Sequence, residues 1–289
     1  MTAGVNGMKI GIVGLGLMGG SFGRALVRRG FTVYGYDASP EVMLKAELMR
    51  AFTAPLGKEN AKEIDLLVSA VKPSLFKTAT EPFLPFLNDG TIVSDFCGVK
   101  RAAVKVMKEW SAKFPELSFI GGHPMAGREF SGIEHSSITL FEKASMILVP
   151  VKADIFATDK LKEFFLSVGF SKVVITDEDT HDKIIAYTSQ LCHIVSNAFI
   201  KNERAENRAG YSAGSFRDLT RVARMDPAMW TELISLNRDN ALAELDELID
   251  NLNKYRKAIA DGDDERLKEL FAEGNERKIK IEQGKENNV

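Results

Sequence analysis

The sequence has few of the features that mark secreted, zinc-binding or membrane-inserted proteins. Its 289 residues include two cysteines, Cys97 and Cys192. Neither a disulfide framework nor a zinc-binding spacing is therefore present, which is typical of a reducing compartment. Residues 1–8 lack the apolar core of a signal peptide, and no apolar run approaches the ~20 residues that span a bilayer. We expect a cytoplasmic protein of about two domains.

An excess of charge of either sign is also missing, and histidine is scarce. The chain carries 38 Lys and Arg against 40 Asp and Glu, a formal net charge of −2. This balance favours neither a nucleic acid nor a membrane surface as partner. Histidine is the side chain best suited to accept a proton near neutral pH, so the candidates for that task are few. We predict no metal site.

The most informative stretch is the glycine-rich loop after the first short apolar run. Gly14, Gly16 and Gly19 form the pattern Gly-x-Gly-x-x-Gly. Gly14 permits a tight turn, Gly16 lets the backbone approach a pyrophosphate, and Gly19 lets the next helix pack against the strand. The loop backbone, including Leu17 and Met18 at the start of that helix, is predicted to hold a dinucleotide. The alternative is a glycine-rich turn in another kind of βαβ unit.

An acidic residue follows the second predicted strand. Residues 31–36 form that strand, and Asp37 comes directly after it. An acid at this point accepts hydrogen bonds from the adenosine ribose hydroxyls. Its negative charge would also repel a 2′-phosphate. The sequence therefore predicts NAD, rather than NADP, as the cofactor.

The arrangement of strand and helix patterns divides the chain into two halves. Strands and helices alternate through residues 1–175, which is typical of a doubly wound parallel sheet of the Rossmann type. From residue 177 no convincing strand pattern remains, and we predict helices over residues 180–201, 212–224, 227–259 and 263–281. The prediction is an α/β fold, with an NAD-binding domain at 1–175 and an all-α substrate and dimerisation domain at 176–289.

The third of these helices carries apolar residues at three-to-four spacing, which predicts a core seam or a subunit interface. The residues are Leu242, Leu245, Leu248, Ile249, Leu252 and Tyr255. We expect a homodimer formed through these C-terminal helices.

His123 is the leading candidate for proton transfer. It lies in a Gly-Gly-His-Pro-Met-Ala-Gly segment directly after a predicted strand, at the sheet edge where such folds bind ligands. It is predicted to be a general base for a substrate hydroxyl, the alternative being a loop histidine bonded to backbone. Glu129 could orient a catalytic group or could be a surface acid.

His193 lies on a predicted helix together with other polar side chains. At helical spacing, Gln190, His193 and Asn197 share one face, which favours a cleft, although a satisfied core histidine is an equal alternative. His181 and Asp182 open the same helix, and we expect Asp182 to contribute at its N-terminus. No role is predicted for His135.

Three arginines, Arg217, Arg221 and Arg224, are predicted to lie on one helical face. Arginine can hold a carboxylate through two parallel hydrogen bonds. Combined with an NAD site, this face predicts an anionic substrate. Surface salt bridges are the alternative.

Taken together, five ordered segments resemble the prephenate dehydrogenase family, which includes arogenate-using enzymes. They are Gly-Leu-Gly-Leu-Met-Gly-Gly-Ser at 14–21, the loop at 95–100, Gly-His-Pro-Met-Ala-Gly at 122–127, the His-Asp helix at 181–193, and Phe-Arg-Asp-Leu-Thr-Arg followed by Asp-Pro-Ala-Met-Trp at 216–230. The match covers most of the chain, and the Gly-His-Pro-Met-Ala-Gly segment at 122–127 is its most specific part.

The resemblance implies an NAD-dependent oxidative decarboxylation of prephenate to 4-hydroxyphenylpyruvate in tyrosine biosynthesis. The histidine matching His123 would accept the ring hydroxyl proton while hydride leaves for the nicotinamide. Arg221 matches a residue that grips a substrate carboxylate, and His193 one that helps to place the substrate. Glu129 matches an acid that shapes the pocket, and Trp230 an aromatic residue near the end of the substrate.

Two departures from the family pattern bear on substrate choice. Gly98 stands where the family often has a serine whose hydroxyl can bond the catalytic histidine, so His123 needs another partner, a water or Cys97. Gln190 and Cys192 replace a histidine and a proline. Because Gln190 can still form hydrogen bonds, it is counted with the substrate-binding residues.

Three other functions compete with this one. The first is arogenate dehydrogenase activity, in which arogenate is the substrate and tyrosine is the direct product. A β-hydroxyacid dehydrogenase would also combine a Rossmann domain with helices, but it would need a lysine early in the second domain, and residues 186–197 contain none. A non-catalytic NAD-sensing module would leave His123 and the arginine face unexplained.

Overall fold

The computed structural model describes residues 7–128 and 130–286. Its one sheet consists of eight strands: β1 (Lys9–Val13), β2 (Thr32–Tyr36), β3 (Ala54–Pro55), β4 (Leu66–Ser69), β5 (Ile92–Asp95), β6 (Ser118–Pro124), β7 (Ser145–Lys152) and β8 (Lys172–Ile175). The order across the sheet is β3-β2-β1-β4-β5-β6-β7-β8. All neighbouring strands are parallel except β6 and β7. The predicted α/β fold with a doubly wound sheet is confirmed.

Helices follow most strands and then continue alone. They are α1 (Leu17–Arg28), α2 (Pro40–Leu48), α3 (Pro73–Thr80), α4 (Lys100–Lys113), α5 (Ile155–Ser167), α6 (Glu178–Ile185), α7 (Cys192–Phe199), α8 (Gly214–Thr220), α9 (Pro227–Leu236), α10 (Arg238–Asp261) and α11 (Asp264–Glu286). Among the described residues after β8 there is no strand, so the all-α character of the C-terminal part is confirmed.

Both faces of the sheet are buried, which explains why its strands are continuous apolar runs. In β4, Leu66 and Val68 belong to one core cluster and Leu67 to another. Phe22 of α1 packs into the first cluster, and Trp110 of α4 into the second. Helices therefore cover the two faces, as a doubly wound sheet requires.

The antiparallel strand β7 follows from the connection that leads to it. In the loop between β6 and β7 the regular element is a short 3₁₀ turn, Ile133–His135. A parallel return usually crosses the sheet through a helix, and the described part of this loop contains no α-helix. This loop instead docks on α1, where Arg24 donates a hydrogen bond of 2.7 Å to the Ser136 carbonyl. Strand β7 therefore runs back along β6.

Three predicted helices differ from those observed. The stretch 180–201 is interrupted by a π-helical turn, Ala186–Leu191, between α6 and α7. The stretch 212–224 is helical only from Gly214 to Thr220. The stretch 227–259 breaks at Asn237, which adopts φ −126° and ψ 31°. There the buried Asn237 side chain bonds other segments of the chain, which periodicity does not reveal.

The chain forms two compact units, Met1–Arg238 and Asp239–Val289. In the second unit, the Tyr255 hydroxyl donates a 3.0 Å hydrogen bond to the Leu270 carbonyl, and its ring contacts that of Phe271. The domain boundary after residue 175 stays a prediction. Within the described residues, no helix has the length and apolar character needed to cross a membrane.

Candidate active site

The glycine loop has the geometry that a dinucleotide site needs. Gly14 has φ +89°, and a Cβ there would lie 2.9 Å from the Ala70 carbonyl oxygen, so only glycine fits. A Cβ on Gly19 would lie 1.8 Å from the Gly14 oxygen, which shows how closely α1 approaches β1. Gly16, by contrast, faces open space with no atom within 4 Å of its Cβ position. That space lies at the start of α1, where a pyrophosphate would meet helix N–H groups.

Asp37 supports this loop from the end of β2. Its two carboxylate oxygens accept hydrogen bonds of 2.8 Å from the Leu15 N–H and 3.0 Å from the Ser39 N–H. Each carboxylate oxygen has room for a second hydrogen bond, so Asp37 can still accept ribose hydroxyls. The residues present therefore fit NAD.

His123 lies half-buried at the C-terminal end of β6. Its Nδ1 is 2.9 Å from Nε2 of His181, a residue of α6. The partner predicted for His123 was a water or Cys97, but the Cys97 thiol instead donates to the Val71 carbonyl at 3.8 Å. His123 is thus held by a second histidine, His181, a contact that the sequence did not predict.

Asp182 completes this chain of contacts. His181 Nδ1 lies 2.7 Å from Asp182 Oδ1. The Asp182 carboxylate also accepts hydrogen bonds from the backbone N–H groups of Lys100, at 2.6 Å, and Arg101, at 2.9 Å. Asp182 therefore caps the N-terminus of α4 rather than that of its own helix, where Asp177 does so. The expected position of Asp182 was wrong because capping acts here between distant segments.

Burial and charge set the protonation states of this group. Burial, followed by repulsion from His181 and Lys100, lowers the pKa of His123 well below its usual value. Burial also lowers the pKa of His181, against the opposing effect of Asp182. Burial alone would raise the pKa of Asp182, but its hydrogen bonds from His181 and from the α4 backbone outweigh this and lower it. At neutral pH, two neutral histidines therefore stand beside a carboxylate.

A buried ion pair lies beneath His123. The Lys100 ammonium contacts the Asp95 carboxylate, and both side chains are fully buried. Lys100 also donates a 2.5 Å hydrogen bond to the Gly122 carbonyl, while Asp95 accepts from the Gly122 N–H at 3.1 Å. This pair fixes the backbone of the residue before His123, and it supplies the cation that opposes protonation of the histidine.

A second group of side chains surrounds His193. Its Nδ1 lies 2.9 Å from the Ser189 carbonyl, to which it can donate, and its ring stacks on Trp230 at 3.7 Å between centroids. Burial, opposed by the Ser189 bond and reinforced by the charge of Arg221, lowers the pKa of His193. His193, Trp230 and Arg221 are therefore neighbours, as the substrate-binding prediction requires.

Gln190 lies behind this group. It is fully buried, its Nε2 donates to the Leu233 carbonyl at 3.1 Å, and its Oε1 accepts from Asn237 at 2.9 Å. Asn237 also donates to the Asp182 carbonyl at 2.7 Å. Gln190 is thus connected through Asn237 to Asp182, and both ends of its amide already have partners within the protein. Its contact with substrate stays a prediction.

The arginines do not share one helical face. Arg221 follows the last residue of α8, and Arg224 lies beyond the helix with its guanidinium 5.2 Å from the centre of the Phe130 ring. Arg217 is exposed beside Asp218 at 3.5 Å, a surface ion pair. Of the three, Arg221 is the one that acts on His193. Glu129, the predicted pocket acid, lies outside the described residues.

Sequence reasoning missed His181, Asp182 and Asn237 as parts of the site. A signal for the first two was present, because an adjacent His-Asp pair opened a helix with another histidine on it. Asn237 had no such signal, since it sits within an apolar helical pattern. No group of acidic, cysteine or histidine side chains able to hold a metal occurs in the described part of the chain.

Two family descriptions match the chain. "Prephenate dehydrogenase, nucleotide-binding domain" matches residues 22–175, and "Prephenate dehydrogenase, dimerization domain" matches residues 177–273. The prephenate dehydrogenase of Bacillus subtilis is 31% identical, covering 92% of this chain and 75% of that protein.

Two solved structures share the fold over almost their whole length. The prephenate dehydrogenase of A. aeolicus, in complex with hydroxyphenyl propionate and NAD+, has a TM-score of 0.79 at 28% identity and covers 95% of this chain and 98% of that one. The arogenate dehydrogenase of Synechocystis has a TM-score of 0.78 at 26% identity and covers 95% and 100%. Together with the two family matches, these similarities show that the chain belongs to the prephenate dehydrogenase family.

Proposed function

We propose that this chain catalyses the NAD-dependent oxidative decarboxylation of prephenate to 4-hydroxyphenylpyruvate. The observation that carries the proposal is the placement of His123. It lies at the sheet edge with Nδ1 held by His181, and Nε2 lies 3.9 Å from the Cβ position of Gly98, a residue with no side chain to bond it. A neutral imidazole whose Nδ1 is already engaged can use Nε2 as a general base.

The role of His123 follows from the chemistry of the substrate. Prephenate carries a ring hydroxyl, a ring carboxylate and a pyruvyl side chain. His123 Nε2 accepts the hydroxyl proton as the carbon–oxygen bond becomes a carbonyl, and NAD+, when bound at the glycine loop, would be the acceptor for the hydride from that carbon. The ring carboxylate then leaves as CO₂, its electron pair makes the ring aromatic, and the carbonyl oxygen becomes a phenol by taking the proton back from His123. The sum is prephenate and NAD+ giving 4-hydroxyphenylpyruvate, CO₂ and NADH.

Arg221 and His193 are proposed to hold the anionic substrate. Arginine binds carboxylates through charge-assisted hydrogen bonds, and the charge of Arg221 helps to lower the pKa of His193. With its Nδ1 engaged by Ser189 and one face covered by Trp230, His193 keeps Nε2 for a substrate oxygen. Trp230 therefore acts by fixing that ring. Gly14, Gly16, Leu17, Met18, Gly19 and Asp37 are proposed to bind NAD.

Arogenate is the second candidate substrate, since a structure of an arogenate dehydrogenase is among those that resemble this chain. The two compounds differ by a keto group against an amine. Steady-state kcat/KM with each, followed by the absorbance of NADH, tests both. We expect turnover with prephenate to exceed that with arogenate. NADH formation with neither compound would overturn the dehydrogenase proposal and favour a cofactor-sensing role.

We also propose that the chain forms a homodimer through its C-terminal helices and that the protein is located in the cytoplasm. Leu242, Ile249, Leu252 and Ile259 of α10 are exposed and form a stripe along it, which is typical of a subunit interface. The free thiol of Cys192 is exposed, in keeping with a reducing compartment. Light scattering should give twice the chain mass, and Leu252→Glu should reduce it to that of a single chain.

A further inference from the structure

The hydrogen bonds around His123 determine which of its nitrogens carries a proton. The Asp182 carboxylate can only accept, so the 2.7 Å contact with His181 Nδ1 requires a proton on that nitrogen. In a neutral His181, Nε2 is then an acceptor. The 2.9 Å contact between His181 Nε2 and His123 Nδ1 therefore requires the proton on His123 Nδ1. It follows that His123 Nε2 carries none.

The surroundings keep this chain of hydrogen bonds in one direction. Asp182 is fully buried and is held by two backbone N–H groups at the N-terminus of α4, where the helix dipole stabilises a negative charge. The cation of Lys100, paired with Asp95, opposes a second proton on either histidine. If His181 were protonated on both nitrogens it would donate to His123, and Nε2 of His123 would carry the proton instead.

We propose that His181, oriented by Asp182, is a positioning residue that holds His123 in the tautomer with Nε2 free to accept the substrate proton. This rests on the proposed function of His123 as the base. The contact between His181 and His123 is more important in this protein because position 98 is a glycine. No side chain at that position can bond Nε2, so the orientation of the His123 ring depends on its Nδ1 side.

The same contacts assist the step in which His123 becomes charged. When Nε2 takes the substrate proton, Nδ1–H donates more strongly to His181 Nε2, and the Asp182 carboxylate at the far end stabilises the positive charge through His181. No proton has to reach Asp182, and His181 does not touch the substrate. Among the described residues, the charged and titratable groups that act on His123 are His181 from α6 and Lys100 from α4, and Lys100 is paired with Asp95 of β5.

Two substitutions at one position separate orientation from packing. Glutamine can place its carbonyl oxygen where Nε2 of His181 lies and accept from His123, whereas leucine offers no acceptor. We expect His181→Leu to lower kcat about 100-fold, the lower end of what a positioned base contributes, with KM changed little. His181→Gln should recover at least tenfold of that loss. His135→Leu, the same change at an exposed histidine, should leave kcat unchanged.

A spectroscopic measurement tests the tautomer without turnover. The chain has four histidines, so ¹⁵N-histidine labelling gives few signals, and the His123→Asn variant identifies the relevant one. In the intact protein near neutral pH, His123 should show a protonated Nδ1 and a bare Nε2. In His181→Leu the signal should shift towards the Nε2-protonated form that histidine prefers in water.

The outcomes distinguish this inference from the proposed function. A protonated Nε2 on His123 in the intact protein would overturn the inference even if the enzyme is active. Equal loss of kcat in folded His181→Gln and His181→Leu would also overturn it, because packing alone would then explain the effect. If the intact protein oxidises neither prephenate nor arogenate, the proposed function fails while the tautomer measurement still stands. If His181→Leu does not fold, the intact protein and His181→Gln decide the question.

Discussion

Gly98 and His123 are close neighbours in the candidate site. A Cβ on Gly98 would lie 3.9 Å from His123 Nε2 and 3.3 Å from a methyl group of Leu233. The φ of Gly98 lies outside the left-handed region that favours glycine, so the backbone admits a side chain. The space at position 98 is therefore limited by these two neighbours rather than by backbone strain.

This geometry predicts different results for a small and a larger side chain at position 98. Gly98→Ser needs Leu233 to move by a few tenths of an ångström, and its hydroxyl could bond His123 Nε2, so we expect kcat/KM within about tenfold of the parent. Gly98→Val would put a methyl group in the path of the substrate hydroxyl and should lower kcat/KM by about 100-fold or more. Equal activity of the two variants would show that Nε2 does not meet the substrate there.

The base assignment predicts a selective loss of turnover in His123→Asn. Asparagine can keep a hydrogen bond to His181 but cannot accept a proton near neutral pH, so kcat should fall by about 100- to 10,000-fold. KM and the affinity for NAD should change little, which steady-state kinetics and a cofactor titration can measure. Near-normal kcat in this variant would exclude His123 as the base.

The lowered pKa values of His123 and His181 predict how activity and stability change with pH. The folded protein lowers the pKa of both His123 and His181, whereas an unfolded chain has histidines of pKa about 6.5. As pH falls below ~6.5, the unfolded chain takes up protons that the folded state refuses, so stability decreases, by up to about 1.4 kcal/mol per pH unit for each histidine.

Urea unfolding at about pH 7.5 and about pH 5.5 measures this effect, because these two pH values lie on either side of the pKa of a free histidine. Since His123 must be neutral to act as base, the acidic limb of the kcat/KM profile should lie below the usual histidine range. A folded protein whose stability is constant or rises as the pH is lowered through this window would contradict the buried, neutral state of the pair.

How far the sequence predicts this molecule depends on the range of the interactions involved. The glycine loop, Asp37 and the apolar strands are local patterns, because the residues that need each other are neighbours in the chain or alternate along one strand. The fold class and the cofactor loop could therefore be predicted from the sequence. His123 could be picked out as well, because it directly follows a predicted strand and ligands bind at that edge of such a sheet.

The contacts that support His123 could not be predicted from the sequence in the same way. Asp182 caps a helix that begins 82 residues earlier, and Asn237 breaks an apolar helix to bond Asp182 and Gln190. Such interactions depend on how distant segments meet, which helical periodicity does not encode. For the same reason the spacing of Gln190 predicts the helix face on which it lies but not its hydrogen bonds with Leu233 and Asn237.

The carboxylate of Asp37 predicts the cofactor preference. Asp37→Asn keeps a side-chain oxygen for the Leu15 or Ser39 N–H and removes the charge that repels a 2′-phosphate. We expect the ratio of kcat/KM for NAD to that for NADP to fall by about tenfold or more. Asp37→Ala, which loses the loop contacts too, should weaken both cofactors. An unchanged ratio in Asp37→Asn would leave Asp37 with the loop-supporting role alone.

The last prediction distinguishes the roles of two exposed arginines, Arg221 and Arg217. Arg221→Ala removes the cation beside His193, so we expect KM for prephenate to rise about 10- to 100-fold, as for a lost charge-assisted carboxylate contact. The KM for NAD should stay unchanged. Arg217→Ala removes an arginine of α8 that pairs with Asp218 at the surface, and it serves as the matched control with KM within about twofold of the parent. A larger effect in Arg217→Ala than in Arg221→Ala would transfer the carboxylate-binding role to Arg217.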